Sequence, residues 1–254
     1  MIWLVALAVA AKTQSLVRQV RSGLAPPPYN CAPDRRVSLL TPAYQEEKYI
    51  GTLLLSARNQ TYPFHDMVVA NSSTDGTAEL ARSFGAMEVR APYGNIAAAR
   101  NLAAAHSLGD ILIFADADVL FHTQFVERAV AALEDGFTLV HPREVIYDSA
   151  GWNCSLYPAQ LVRPWWNTTR CVAVWREVYK AVGGYNEMCN PMASQAERCR
   201  EDLDFGARVA ALYGRRSVRV IPWLIGTSAR RYKAQGLRGW QNFDIPARAR
   251  IHWR

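Results

Sequence analysis

Apolar segments alternate with amphipathic segments between residues 37 and 115, and this alternation predicts β-strands and α-helices in turn. The amphipathic segments carry apolar residues at helical spacing, as Ile50, Leu53 and Leu54 do on one face of the first of them. Strands and helices that alternate in this way form βαβ units around a parallel sheet, which binds ligands at the carboxyl ends of its strands. The predicted strands are residues 37–40, 67–70, 87–89 and 111–115, and the predicted helices are residues 46–58, 76–84 and 95–106.

The pattern becomes less regular after residue 137. Residues 152–167 are rich in Trp, Tyr and Pro, and we interpret them as an irregular segment. The fold class is nevertheless α/β, because the first half of the chain already supplies the sheet and its helices. In the second half, the predicted strands are residues 138–140, 145–147 and 218–221, and the predicted helices are residues 176–182 and 202–212.

The length of 254 residues suits one large domain with short extensions. Residues 1–34 are predicted to be a helix followed by a proline-rich linker, residues 35–222 the α/β domain, and residues 223–254 a basic extension. The N-terminal helix is predicted to pack on the domain or to lie on a membrane surface, with a cleaved signal peptide as the alternative. No apolar run approaches the roughly 20 residues that span a bilayer. The expected location is therefore cytoplasmic, with peripheral membrane contact through the first helix or the basic extension.

The positive charge is concentrated at the C-terminal end. Residues 198–254 hold 13 basic and 4 acidic residues, whereas residues 1–197 hold 16 basic and 18 acidic residues. This distribution indicates an anionic partner, namely a phosphate-bearing ligand, a membrane surface or a nucleic acid, and a solvated surface is the alternative. Nothing in residues 37–140 indicates nucleic-acid binding, and we predict no nucleic-acid partner.

The five cysteines do not have the CxxC spacing of a zinc site. We interpret them as buried thiols. The alternative is a disulfide, for which Cys189 and Cys199 are candidates because they flank a loop-like segment, in a secreted or hyperthermophilic protein.

Three predicted loops follow strands and carry polar residues. Residues 41–47 include Pro42, which ends a strand, and Glu46, which can begin a helix. Residues 71–77 are rich in Ser, Thr and Asp, a composition that N-caps of helices also explain.

The third loop carries the strongest chemical feature, because Asp116 and Asp118 follow an apolar strand one residue apart. Two carboxylates this close repel each other unless a cation or good solvation compensates. A hard divalent ion such as Mg²⁺ or Mn²⁺ accepts carboxylate oxygens together with diphosphate oxygens. The sequence therefore predicts a divalent metal site at the end of this strand.

Six short motifs in order resemble the family 2 glycosyltransferases of the GT-A fold, over residues 37 to about 222. The resemblance implies a Rossmann-like, nucleotide-binding mixed sheet flanked by helices, in a single domain with an irregular acceptor-side region. It divides the domain into a nucleotide-sugar half, residues 35–136, and an acceptor half, residues 137–222. The motifs are residues 41–47, 68–77, 99–101, 109–118, 182–187 and 201–202.

The resemblance also implies roles for individual residues. Asp116 would contact the ribose or the metal, Asp118 would bind the metal, and Asp202 would be the catalytic base, although Asp202 could be only a first-turn acid of its helix. The family's usual nucleobase-recognising acid is replaced by Ala70, and Asn71 or Asp75 would take over its role. The remaining predicted contacts are Pro42, Ala43, Tyr44, Glu46 and Arg100 to the donor, Glu201, Trp165 and Trp166 on the acceptor side, and Arg230 and Arg231 to the donor diphosphate or a lipid phosphate.

The implied function is metal-dependent, inverting transfer of a sugar from a UDP-, GDP- or dTDP-sugar to a hydroxyl group of a glycan, lipid-linked or protein-linked acceptor. One alternative is a sugar-nucleotide-binding module without catalysis. Another is a nucleotidyltransferase, which would need a glycine-rich, lysine-bearing first loop that residues 41–47 do not provide.

Overall fold

The computed structural model describes residues 35–148, 170–189 and 200–230, without the side chains of residues 222–224. Several sequence predictions lie outside the described residues: the N-terminal helix and linker, Trp165, Trp166, Arg231 and the rest of the basic extension. No helix within the described ranges is long and apolar enough to cross a membrane.

The described strands form one sheet in the order β3-β2-β1-β4-β7-β6-β8-β5. Strands β3, β2, β1 and β4 run parallel, whereas β7 is antiparallel to both of its neighbours. The sheet is therefore mixed, as the resemblance implied. The strands are β1 Val37–Ala43, β2 Asp66–Asn71, β3 Met87–Arg90, β4 Ile111–Ala115, β5 Val119–Phe121, β6 Leu139–Ile146, β7 Cys171–Trp175 and β8 Val218–Thr227.

Helices cover both faces of the sheet. Leu39 and Ile113 pack with the buried residues of the first, second and fourth helices, whereas Leu40 and Leu112 pack with those of the third and sixth. Because both faces are buried, the central strands are continuous apolar runs without polar alternation. The helices are α1 Ile50–Arg58, α2 Thr77–Ser83, α3 Ile96–His106, α4 Phe125–Glu134, α5 Arg176–Ala181 and α6 Glu201–Tyr213.

From residue 119 onward, the structure differs from the sequence prediction mainly in five elements. Strand β6 is continuous through Pro142, where the sequence predicted two strands, and its pairing with β8 shifts register between Pro142 and Glu144. The sequence analysis did not identify β5, α4 or β7. Strand β8 extends to Thr227, so the predicted domain boundary at residue 222 falls inside a strand.

The described cysteines differ in state. Cys171 is a buried free thiol, in agreement with the interpretation given above. Cys189 is disulfide-bonded, which favours the alternative interpretation for that residue.

Candidate active site

The carboxyl ends of β1 and β4 lie side by side and present the predicted donor-side residues. Leu40 pairs with Phe114 in the parallel register, so the loops that contain Glu46 and Asp116 leave the sheet at the same edge. The backbone N–H of Asp116 donates to the carbonyl of Arg170 at 2.8 Å, and that of Val119 donates to the Asp116 carbonyl at 3.1 Å. The first bond ties the end of β4 to the residue before β7, and the second closes the tight turn that contains both aspartates.

Asp118 is a fully buried carboxylate between two arginines. Its Oδ2 atom accepts a hydrogen bond from Arg230 Nε at 2.9 Å and lies 3.9 Å from Arg170 Nη1. Its Oδ1 atom is buried and accepts no hydrogen bond from the described residues. Because unpaired buried carboxylate oxygens are uncommon, this atom is a candidate ligand for a cation.

Arg230 joins the loop after β1 to Asp118. Its two Nη atoms each donate to an oxygen of Glu46 at 2.6 Å, and its guanidinium lies 4.4 Å from the centre of the Tyr49 ring. Burial raises the pKa of Glu46 above its ordinary value, although the ion pair with Arg230 opposes this shift. The resemblance assigned Glu46 to the donor, and in this structure the Glu46 carboxylate is the bidentate partner of Arg230.

Arg100 forms a bridge between Asp116, at the end of β4, and Glu201, at the start of α6. The side chain is 4% exposed, and its Nη2 and Nη1 atoms donate to Asp116 Oδ1 at 3.0 Å and to Glu201 Oε1 at 2.8 Å. Its guanidinium also lies 5.0 Å from the centre of the Tyr185 ring. One buried cation thus brings together two acids that the sequence analysis assigned to opposite sides of the reaction.

We expect Arg100→Met to lower the free energy of unfolding by about 3–5 kcal/mol, because it leaves Asp116 and Glu201 buried without their common cation. Denaturant unfolding of the variant and the wild type measures the effect. Arg82→Met is the matched control, because Arg82 forms its ion pairs at 52% exposure and such surface pairs contribute about 1 kcal/mol or less. Equal losses in the two variants would contradict a structural role for the buried pairs.

Asp202 lies in the first turn of α6 and is buried. Its Oδ2 atom accepts from Arg200 Nη2 at 3.0 Å, and its Oδ1 atom accepts from the Leu203 backbone N–H at 2.8 Å. Burial acts to raise the pKa of Asp202, but Arg200, Arg100 and these hydrogen bonds outweigh it and lower the pKa below the ordinary value. For Glu201, burial prevails and raises the pKa despite Arg100. The two neighbouring acids therefore differ in proton affinity.

The two candidates for nucleobase recognition hold their own loop together. Asn71 is buried, accepts from the backbone N–H of Ser73 at 2.9 Å and donates to Glu88 at 3.3 Å. Asp75 accepts from the backbone N–H and the hydroxyl of Thr77, two residues further on, as in an Asx turn directly before a helix. Desolvation opposes the effect, but these hydrogen bonds lower the pKa of Asp75.

Tyr44 is half exposed at the end of β1 and contacts a second exposed tyrosine. The ring centres of Tyr44 and Tyr93 are 4.9 Å apart. Tyr93 follows β3 and was not singled out from the sequence, where a lone tyrosine after a short strand gives no indication of its neighbours.

Two further residues at the site were missed. Arg170 precedes β7 and is buried, with its Nε atom 3.0 Å from Glu144 and its Nη1 atom bonded to Thr227 at 3.1 Å. Asp148 accepts from the hydroxyl of Ser228 at 2.9 Å and from the backbone N–H of Ala229 at 2.7 Å. The apolar run of residues 171–175 is typical of a strand. Recognition of this strand would have drawn attention to Arg170, which directly precedes it.

Asp118 Oδ1 and the Asp116 carboxylate are suitable donors for Mn²⁺ or Mg²⁺, which prefer oxygen ligands. Within the described ranges, no cluster of three or more His, Cys, Asp or Glu residues is placed to hold a metal ion. Two carboxylates fit a divalent ion that takes further oxygen ligands from a bound diphosphate.

Comparison with known proteins agrees with this architecture. The mannosyltransferase PcManGT from Pyrobaculum calidifontis, solved with GDP-Man and Mn²⁺, superposes with a TM-score of 0.60 at 23% identity, over 96% of this chain and 72% of that one. Glucosyl-3-phosphoglycerate synthase from Mycobacterium tuberculosis, solved with Mn²⁺, UDP and glucosyl-3-phosphoglycerate, gives a TM-score of 0.56 at 21% identity, over 82% of this chain and 77% of that one. Both neighbours have the GT-A fold, which confirms the predicted fold class.

Sequence comparison identifies the family. The glycosyltransferase AglE from Haloferax volcanii is 36% identical over 111 residues, which are 38% of this chain and 35% of AglE. The sequence profile of glycosyl transferase family 2 matches residues 38–193, from the first strand of the sheet to beyond α5. Because this match covers more than half of the chain and includes both aspartates at the end of β4, the protein belongs to glycosyl transferase family 2.

Proposed function

We propose that this protein transfers a sugar from a nucleotide-sugar donor to a hydroxyl acceptor, with inversion and with the help of a divalent metal ion. The observation that carries the proposal is the buried bridge from Asp116 through Arg100 to Glu201. It supports a single site in which a donor phosphate at Asp116 and an acceptor beside Glu201 are close enough to react.

The donor would bind at the carboxyl ends of β1 and β2. Pro42, Ala43 and the exposed ring of Tyr44 are proposed to contact the base and ribose, because an exposed aromatic ring at this edge can stack on a base. Asn71 or Asp75 would then contribute to base selectivity in place of the acid that Ala70 replaces. The archaeal neighbour holds GDP-Man and the mycobacterial one UDP, so both donor classes belong in a test.

Asp116 and Asp118 are proposed to hold Mn²⁺ or Mg²⁺, which would stabilise the charge of the leaving diphosphate. Arg230 lies beside Asp118 and is proposed to donate to the phosphates as well. The same role for Arg231, which follows it in the chain, stays a prediction.

On the acceptor side, Asp202 is proposed to remove the proton of the attacking hydroxyl. Its lowered pKa keeps it ionised at neutral pH, and inversion requires one base for one displacement. Glu201 would orient the acceptor, and the roles of Trp165 and Trp166 stay predictions. The acceptor is proposed to be a hydroxyl group of a glycan, lipid-linked or protein-linked molecule. A peripheral membrane contact is proposed as well.

The donor class can be tested by thermal unfolding with UDP-, GDP- and dTDP-sugars in the presence of Mn²⁺. A ligand that binds only the folded state stabilises it by about 2.7 kcal/mol at a concentration of a hundred times its dissociation constant. We expect one nucleotide class to raise Tm in the wild type and to have little effect on Asp118→Asn. A series in which no nucleotide sugar raises Tm, with or without Mn²⁺, would contradict the proposed function.

A further inference from the structure

We infer that Arg230 is a resident counter-ion that keeps the affinity for metal low until a nucleotide diphosphate is bound. This inference rests on the proposed function, because it concerns the same metal site at Asp118. It assigns to Arg230 a role in the order of binding, in addition to a contact with phosphate.

The guanidinium of Arg230 is fully engaged with acidic side chains. All three nitrogens of its guanidinium donate to carboxylates, with distances of 2.6, 2.6 and 2.9 Å to Glu46 and Asp118. The side chain of Asp118 is 0% exposed and that of Glu46 is 12% exposed. Charges this well buried require a close partner, and the guanidinium provides it for both.

A metal ion and Arg230 would compete for the same carboxylate. A divalent ion at Asp118 Oδ1 would share this buried group with Arg230 at 2.9 Å, and Arg170 is only 3.9 Å away. Glu46 and Glu144 balance the two arginines, but the ion and the Arg230 guanidinium would still repel each other at close range in a poorly solvated site. A diphosphate removes this conflict, because its oxygens can accept hydrogen bonds from Arg230 and coordinate the metal together.

Hydrogen bonds fix the backbone at Arg230. Ser228 and Ala229 are both bonded to Asp148, and the backbone N–H of Arg230 donates to the Ser228 hydroxyl at 3.1 Å. The exchange of Asp118 for phosphate therefore requires only a rotation of the Arg230 side chain. Arg170 cannot make the same exchange easily, because it is buried and engaged with Glu144 and Thr227.

The test is the affinity for Mn²⁺ without nucleotide, measured by electron paramagnetic resonance of the free ion. Arg230→Met removes the cation that competes with Mn²⁺ for Asp118. Because the lost hydrogen bond joins two charged groups, we expect the Mn²⁺ affinity to increase by about tenfold or more. Adding UDP or GDP should tighten Mn²⁺ binding strongly in the wild type and much less in the variant, because the variant lacks the cation that the diphosphate draws away from Asp118. Coupling between two ligands is reciprocal, so Mn²⁺ should tighten nucleotide binding to the same extent.

Arg36→Met is the matched control, because it removes the same charge at the opposite end of β1, where Arg36 pairs with Asp110. We expect it to leave Mn²⁺ affinity unchanged. The double variant Glu46→Gln, Arg230→Met should keep the increased affinity, which excludes the released Glu46 as its cause. Arg230→Lys preserves a positive charge but loses the fork geometry, so we expect its Mn²⁺ affinity to lie between those of the wild type and Arg230→Met.

The outcomes separate this inference from the proposed function. Wild-type Mn²⁺ affinity in folded Arg230→Met, or in the double variant if Arg230→Met fails to fold, together with loss of binding in Asp118→Asn, would overturn the counter-ion role and leave the metal site intact. Unchanged Mn²⁺ affinity in Asp118→Asn would overturn the metal site and, with it, this inference.

Discussion

Asp118→Asn is expected to abolish the stimulation of sugar transfer by Mn²⁺ and to lower kcat/KM by more than about a hundredfold. The substitution keeps the shape of the side chain but removes the charge that would hold the ion, and metal stabilisation of a leaving group is worth several kcal/mol. The fold should persist, because Arg230 keeps its bidentate pair with Glu46 and Arg170 keeps its contact with Glu144.

The measurement is kcat/KM as a function of Mn²⁺ concentration, with each nucleotide sugar that stabilises the wild type. Asp110→Asn is the matched control, since Asp110 forms a partly exposed ion pair with Arg36 before β4 begins. It should leave metal stimulation unchanged. Wild-type turnover that persists undiminished in excess EDTA would remove the metal from the proposed reaction.

The sequence was sufficient for the parallel half of the sheet because most residues of β1, β2 and β4 are buried and apolar. Each of the four apolar runs between residues 37 and 115 corresponds to an observed strand, with ends that differ by up to three residues. The loops that follow these strands lie at one edge by topology alone, so the location of Asp116 and Asp118 followed from the order of the elements.

The second half was harder to predict for local physical reasons. Pro142 suggested a break, because proline cannot donate to a β-ladder, but a register shift in the pairing accommodates it within β6. Strand β5 has only three residues, which is too short for a periodic pattern. In contrast, Phe125, Val126 and Ala129 begin a clear helical face in α4 that the analysis could have recognised.

The partners of the site residues could not be predicted from the sequence. Arg100 and Glu201 are 101 residues apart, and Arg230 and Glu46 are 184 residues apart. Sequence motifs identified the acids, but the choice of arginine for each acid depends on how long side chains pack across the sheet edge. This is why Arg170 was missed and why Glu46 has a partner that its motif did not indicate.

Asp202→Asn is expected to lower the rate of sugar transfer by about 10²–10⁴-fold, the usual loss when a general base is removed. The amide keeps the size of the side chain and can still accept from the Leu203 N–H, so folding and donor binding should be retained. The comparison variant is Glu201→Gln, in which Arg100 keeps its ion pair with Asp116. It should raise the KM for the acceptor more than it lowers kcat.

The pH dependence of kcat/KM distinguishes the two acids as the base. The base must be ionised to act, so activity is lost as the pH falls through its pKa. Because the environment lowers the pKa of Asp202 from its ordinary value of 3.8, an Asp202 base predicts an acidic limb with its midpoint below that pH. Burial raises the pKa of Glu201 above 4.5, so a Glu201 base predicts a loss that begins at higher pH. An Asp202→Asn enzyme that transfers sugar at nearly the wild-type rate, with an acidic limb above pH 4.5 that Glu201→Gln abolishes, would assign the proton transfer to Glu201 instead.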